Sequence, residues 1–236
     1  MSIADKILRA KEDYDNVYEA GKKSEWDAFW EKFQKGGTRT QYPNAFSYSE
    51  LTDDTFKPKY DLNVTDAYYM FFGNCGITDL KNLDVKLDFS QCDDLRFAFY
   101  GMMNTDRGIG LKRVGVIDGR ASHREIYTFQ GAFEWDIYLE EIEKIIVSED
   151  GSQGFMNAFN ACYSLKEIRF EGVIGQDISF ADCPLSRASI ESIMAALSPT
   201  TSGKTLTLSA GAVSNAFSSA EWSALKATRP NWSFNV

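Results

Sequence analysis

The residues able to do chemistry are few: four cysteines, one histidine, scattered carboxylates and one Gly-Lys-Thr step. Cys75, Cys92, Cys162 and Cys183 lie 17, 70 and 21 residues apart, with no C-x-x-C pair, so the spacing of a zinc site is missing. His123 lacks the neighbours that a Ser-His-Asp triad or a zinc centre would need. No G-x-S-x-G is present. Gly203-Lys204-Thr205 resembles the end of a phosphate loop, but such a loop needs glycine where Ser198 stands. The step also precedes a strand pattern rather than opening a helix. Glu140, Glu141 and Glu143 read as a solvated face, and Asp53-Asp54 as a turn or helix start. A glycosidase needs two carboxylates converging across a cleft, which makes a polysaccharide hydrolase the remotest functional reading. No catalytic residue, metal ligand or cofactor is expected.

The elements that would position a site come next. The chain has 236 residues, enough for a substantial core. Its net charge is −9 and it has no basic stripe, so neither nucleic acid nor an anionic membrane is an expected partner. No apolar run is long enough to span a bilayer. The first residues carry charge throughout, which is unlike a signal peptide, so cytoplasmic synthesis and free, buried thiols are expected. Asn63-Val-Thr65 and Asn231-Trp-Ser233 fit the glycosylation pattern but would then stay idle.

Residues 2–35 read as helix. Ile3, Ile7, Leu8, Tyr14, Val17 and Tyr18 form an apolar stripe, broken at Gly21. A second helix starts at Ser24, with Asp27 as a capping-box-like partner. It carries Trp26, Phe29, Trp30 and Phe33 on one face and ends at Gly36-Gly37. These aromatics are either a cap or an oligomerisation surface. Residues 37–66 read as a connection or a degenerate first repeat.

A repeat then fixes the expected architecture. Phe129-Gln-Gly-Ala-Phe133…Leu139-Glu-Glu-Ile142 and Phe155-Met-Asn-Ala-Phe159-Asn-Ala-Cys162…Leu165-Lys-Glu-Ile168 superimpose without a gap. Tyr68-Tyr-Met-Phe-Phe72-Gly-Asn-Cys75 aligns with one residue fewer, and Leu95-Arg-Phe-Ala-Phe99 with about six inserted residues before Leu111. Phe180-Ala-Asp-Cys183-Pro-Leu185 is a partial copy. With Phe72, Phe99, Phe133, Phe159 and Phe180 as markers, the intervals are 27, 34, 26 and 21. One unit cannot bury its apolar side alone, so stacked units should form Phe, Leu and Ile ladders. The position three residues after Phe should be a small buried slot, holding Cys, Met102 or Asp136. Beyond it, a helix from Ser186, a strand over 205–208, a Ser218-x-x-Glu221 capping box and a terminal strand over 232–236 read as a cap.

The Ala-Phe-x-x-Cys-x-x-Leu-x-x-Ile pattern of residues 158–168 resembles the BspA-type leucine-rich repeat. Together with Val17–Trp26 and Phe170–Phe180, the chain over about residues 15–230 is similar to small leucine-rich-repeat proteins of Firmicutes prophages. The resemblance implies a non-enzymatic, phage tail-associated or surface-binding protein, virion-associated after synthesis. The expected fold is α/β: a leucine-rich-repeat-like solenoid over 67–185, an N-terminal helical cap (1–36), the 37–66 segment, and a C-terminal α/β cap (186–236). The expected partner is a protein or a cell-surface glycan. The alternative is a structural protein that forms homo-oligomers through its N-terminal helices. Binding residues are placed on the insertion (Met103, Asn104, Asp106, Arg107), on the polar run 118–126 (Arg120, His123, Arg124) and at Trp135.

Overall fold

The computed structural model describes residues 23–49 and 51–236, with side chains from residue 28 within the first helix. The expected stripe over 2–21, the Ser24–Asp27 cap and the Trp26 side chain lie outside these described residues. The described residues mix helices with four small sheets. Helix α1 is Lys23–Phe33. Strands β1 (Leu62–Asn63) and β2 (Leu87–Asp88) pair in parallel. Strands β3 (Met103–Asn104) and β4 (Ile109–Gly110) form an antiparallel hairpin. Strands β5 (Arg113–Asp118), β6 (Glu141–Ile146) and β7 (Glu167–Glu171) form a parallel sheet. The C-terminal region holds β8 (Ile178–Phe180), helix α2 (Arg187–Ala196), β9 (Lys204–Leu208), helices α3 (Ala210–Ala216) and α4 (Ser219–Ala227), and β10 (Trp232–Asn235). Its sheet runs in the order β10-β9-β8, all parallel.

Between the strands lie tight turns with an unusual hydrogen-bond pattern. Tyr69, Phe71 and Gly73 donate their N–H groups forward to the carbonyls of Arg96, Ala98 and Tyr100 (3.2, 2.7 and 2.9 Å). The residues between them, Met70, Phe72 and Asn74, donate back three positions. Each turn thus satisfies half its donors internally and half on the next turn. Left-handed residues recur four apart: Asn44 and Tyr48, Tyr69 and Gly73, Phe97 and Gly101, Gly131 and Trp135, Asn157 and Ala161. A left-handed non-glycine residue costs about 1–2 kcal/mol. The forward hydrogen bonds and the buried rings offset it.

The interior is a column of rings. Phe46, Phe71, Phe99, Phe133, Phe159 and Phe180 stack in order, with centroids 5.1, 5.6, 5.0, 5.9 and 4.5 Å apart. This corrects the sequence register at one unit. Phe71, fully buried, is the ring in the column, and Phe72 lies half-buried outside it. The apparent missing residue then disappears: Phe71, Asn74, Ile77 and Leu80 match Phe133, Asp136, Leu139 and Ile142 position for position. The interval to Phe99 becomes 28. Residues 42–49 supply a rung of their own, through Phe46 and the Phe46 N–H to Met70 carbonyl bond (2.8 Å).

The slot after the ring is likewise reassigned. It holds Ser49, Asn74, Met102, Asp136, Cys162 and Cys183, so only two of the four cysteines occupy it. Cys75 is half-buried beside the slot and Cys92 is buried elsewhere. Asn74 takes the place expected for Cys75 because its amide does more than a thiol could. Nδ2 donates to the Ser49 carbonyl (3.0 Å) and hydroxyl (2.7 Å), while Oδ1 accepts from the Gly76 and Ile77 N–H groups (3.1 and 3.0 Å).

Both ends of the column are covered. Trp30 of α1 is fully buried, with its ring 5.7 Å from Phe56 and 6.3 Å from Phe46. Phe29 and Phe33 pack beside it. At the other end, α2 lies on β7. Ser186 caps it by accepting from the Ser189 N–H, and α4 carries the expected Ser218–Glu221 capping box. The Trp232 indole N–H donates to the Ser198 carbonyl at 2.9 Å, locking the last strand on.

Candidate interaction surface

The strand side and the turn side of the stack differ in chemistry. On the strand side, charges pair: Lys81 with Glu141, Arg113 with Asp79, and Lys144 with Glu171. Solvated, mutually neutralised pairs of this kind add little affinity for a partner. On the turn side, outward positions of the earlier turns are aromatic, and the matching positions of the next two are Glu134 and Asn160. Tyr48 stands at 69% exposure, edge-on to Phe72 (4.9 Å), and Phe72 stacks on Tyr100 (5.0 Å). A second row runs beside the first, where Tyr69 lies flat on Phe97 (4.8 Å, 8° between planes) with Tyr68 against both. Tyr69–Phe72 (4.8 Å) and Phe97–Tyr100 (5.9 Å) join the rows into one network.

The backbone explains the arrangement. Outward positions of consecutive turns come into register because the turns hydrogen-bond directly to one another, so rings on neighbouring turns meet as cross-strand pairs do. Gly131 leaves room at the end of a row, since a Cβ there would lie 2.5 Å from ring carbons of Phe97. The Arg96 guanidinium sits 4.9 Å over the Tyr68 ring and grips Asp94 through Nε and Nη2 (2.9 and 2.7 Å). Partial burial pushes the Tyr69 and Tyr100 hydroxyls above the usual tyrosine range, aided by Tyr68 at the first and Glu134 at the second. Both therefore stay neutral donors at ordinary pH.

The residues expected to bind fall into three places. Met103, Asn104, Asp106 and Arg107 form the β3–β4 hairpin, closed by the Arg107 N–H to Asn104 Oδ1 bond (3.1 Å) and turned at Gly108. Arg120, His123 and Arg124 are held by carboxylates of their own chain. Arg120 chelates Asp118, Arg124 reaches Asp93 and Asp94 (3.5 and 3.3 Å), and the His123 N–H donates to Asp93 (2.9 Å). Bonding from His123, first from its backbone N–H, holds the Asp93 carboxyl below its usual range against partial burial. Arg124 and the His123 N–H fasten the 119–128 segment to the turn before it, while Arg120 is held locally by Asp118. Trp135 belongs to the turn side: it is 42% exposed, left-handed (φ 68°), and occupies the position Tyr48 holds in the first turn.

Sequence reasoning passed over Tyr48, Tyr68, Tyr69, Phe72, Phe97 and Tyr100. A signal was present. The run Tyr68-Tyr-Met-Phe-Phe72 and the run Phe97-Ala-Phe-Tyr100 hold more rings than the one that each turn buries. Trp30, Phe29 and Phe33 are placed at the first rung of the column. A polar cleft of about 340 Å³ is lined by residues that include Asp53, Thr78, Asp79, Asn82, Asp84 and Arg113. Two of its three carboxylates, Asp53 and Asp79, already hold several donors each, and Asp84 is the third. Asp53 accepts from the Thr78 and Asp79 N–H groups (2.8 and 3.2 Å). Asp79 accepts from Lys81 and Asn82 N–H groups and from Arg113. Among the described residues there is no cluster of three or more metal-ligating side chains, and no helix is long and apolar enough to cross a membrane. No family model, curated protein or solved structure matches the chain.

Proposed function

We propose that this chain is a non-enzymatic interaction module built on a leucine-rich-repeat-like solenoid of the BspA type. Its context is a phage or prophage tail, where it acts as a surface-binding accessory. Its partner is a protein or a cell-surface glycan, engaged by the turn side of the stack. The observation that carries this reading is the joined surface network of Tyr48, Phe72, Tyr100, Phe97, Tyr69 and Tyr68. Tyrosine-rich surfaces supply large contact area at low conformational-entropy cost, and their hydroxyls add hydrogen bonds. A scaffold that needed only solubility would place polar residues there. Burial of Trp30 within its own chain favours the cap reading of α1 over an assembly surface.

The test is capture of host-cell lysate and isolated cell wall by the wild-type chain and by Tyr48→Ala/Tyr100→Ala. A ligand retained by wild type and weakened tenfold or more in the variant, about 1.4 kcal/mol, supports the reading. Undiminished binding by the variant removes the turn side from it. Retention lost instead on substituting Arg107 and Asp106 would move the site to the β3–β4 hairpin.

A further inference from the structure

Cys162 and Cys183 hold the same slot in the last two turns, each three residues after a column phenylalanine. The rings before them, Phe159 and Phe180, are the closest rung of the column at 4.5 Å. The Ala161 N–H reaches forward to the Asp182 carboxylate at 3.0 Å, tying the two turns together at the residues adjoining the thiols. Hydrogen-bonded neighbouring segments run roughly 4.7–4.9 Å apart, which lies inside the Cα separation of about 4.4–6.8 Å that a disulfide spans. The Cys183 thiol donates to the Phe159 carbonyl (3.6 Å), the oxygen that also accepts the Cys162 backbone N–H (3.3 Å), while the Cys162 thiol donates to the Phe133 carbonyl (3.1 Å); both residues are fully buried. The remaining thiols have no such companion. The Cys92 thiol donates to the Asp94 carbonyl (3.4 Å), and Cys75 stands half-buried beside the slot.

We infer that Cys162 and Cys183 are a latent disulfide site, able to staple the last full turn to the C-terminal cap when the chain meets a disulfide oxidant such as oxidised glutathione. One cysteine thiolate attacks glutathione disulfide, forming a mixed disulfide and releasing one glutathione thiolate. The second cysteine thiolate then displaces the other glutathione and closes the S–S bond. Two cysteine sulfurs are oxidised, one glutathione disulfide is reduced to two thiols, and the two cysteine protons end on those thiols. Burial disfavours the Cys162 thiolate in the closed fold, so the bond is set while the chain is still folding or when the cap opens locally. Residues 163–182 between the two cysteines include β7 and β8, so the staple closes a loop across the junction where the repeats meet the cap.

The experiment is refolding of the full chain from denaturant in a glutathione redox buffer. Alkylation and non-reducing peptide mapping follow. The expected product is lighter by two hydrogens, with Cys75 and Cys92 alkylated and one cross-linked peptide pair joining Cys162 to Cys183. Its guanidinium unfolding midpoint rises, and returns to the reduced value on adding a reductant. Cys75→Ala retains both the cross-link and the midpoint shift, and Cys183→Ala loses both. The inference is overturned if the refolded wild type keeps four alkylatable thiols, carries only glutathione adducts, or forms a bond that includes Cys75 or Cys92. The wild-type peptide map decides the question even where Cys183→Ala fails to fold.

Discussion

Asp136 stands in the slot that Cys162 and Cys183 fill in the following turns, and it brings a carboxyl group into a site with no access to water. Oδ1 accepts the Met102 N–H at 2.7 Å, and Oδ2 has no hydrogen-bond partner. Burial pushes its pKa well above the usual carboxylate range, and the neighbouring Cys162 pushes the same way. The folded-state pKa is raised, so protonation favours the folded form. That stabilisation is complete below the unfolded value, about 3.9, and is lost as pH rises toward the folded value. Asp136→Asn removes the ionisation, and Asn74 shows that an amide fits the slot. The variant should therefore be the more stable protein at neutral pH. Between about pH 4 and pH 7 its stability should fall less steeply than that of wild type, by up to about 1.4 kcal/mol per pH unit. Denaturant unfolding across that range checks it, and parallel curves would show that Asp136 titrates normally. The substitution of Asp for Cys is visible in the sequence. The proton is not, because it depends on how completely the next turn covers the slot.

At the scale of the element, the turn is the unit whose rules matter. Its left-handed positions are set by alternating hydrogen bonds, so a glycine there has a specific role. Gly101 (φ +64°) has open space around its Cα, and alanine there would meet no atom. Gly101→Ala should cost about 1–2 kcal/mol from backbone strain alone, read from chemical denaturation. Gly131→Ala should cost more, since its Cβ would also run into the Phe97 ring. The register makes a sharper demand. Phe71→Ala empties a fully buried rung and should cost about 3–5 kcal/mol, whereas Phe72→Ala trims a half-buried surface ring and should cost clearly less. Equal losses would restore the register read from the sequence alone. That register went astray because Tyr68-Tyr-Met-Phe-Phe72 offers two adjacent phenylalanines and a cysteine three residues after the second. Local pattern matching favours the cysteine. The fold favours Asn74, whose amide satisfies backbone groups of two turns.

For the molecule as a whole, the ends decide stability, because a column of rings exposes its first and last members unless something covers them. Removing residues 1–36 takes away Trp30 and bares Phe46 and Phe56. The truncated chain should lose stability and associate through the exposed rings, rather than yield a clean monomer. Light scattering together with thermal unfolding of both chains checks this, and a soluble truncated monomer with unchanged melting would show that α1 caps nothing. What can be read along the chain is the spacing of its apolar residues. The Phe-x-x-x-x-x-Leu-x-x-Ile steps, the caps at Ser186 and Ser218 and the end of α1 near Gly36 are all properties of neighbours within about ten residues, and local periodicity reports them. Which of two adjacent rings turns inward, which cations are already held by their own carboxylates, and which rings on separate turns meet at the surface depend on contacts between residues some 25 to 34 positions apart. Arg120, His123 and Arg124 look like a free basic loop along the chain, and Tyr48, Phe72 and Tyr100 look like unrelated residues. Stacking one turn on the next sets Arg124 against Asp93 and Asp94 and brings the rings together, because the hydrogen bonds between turns fix outward positions against their counterparts.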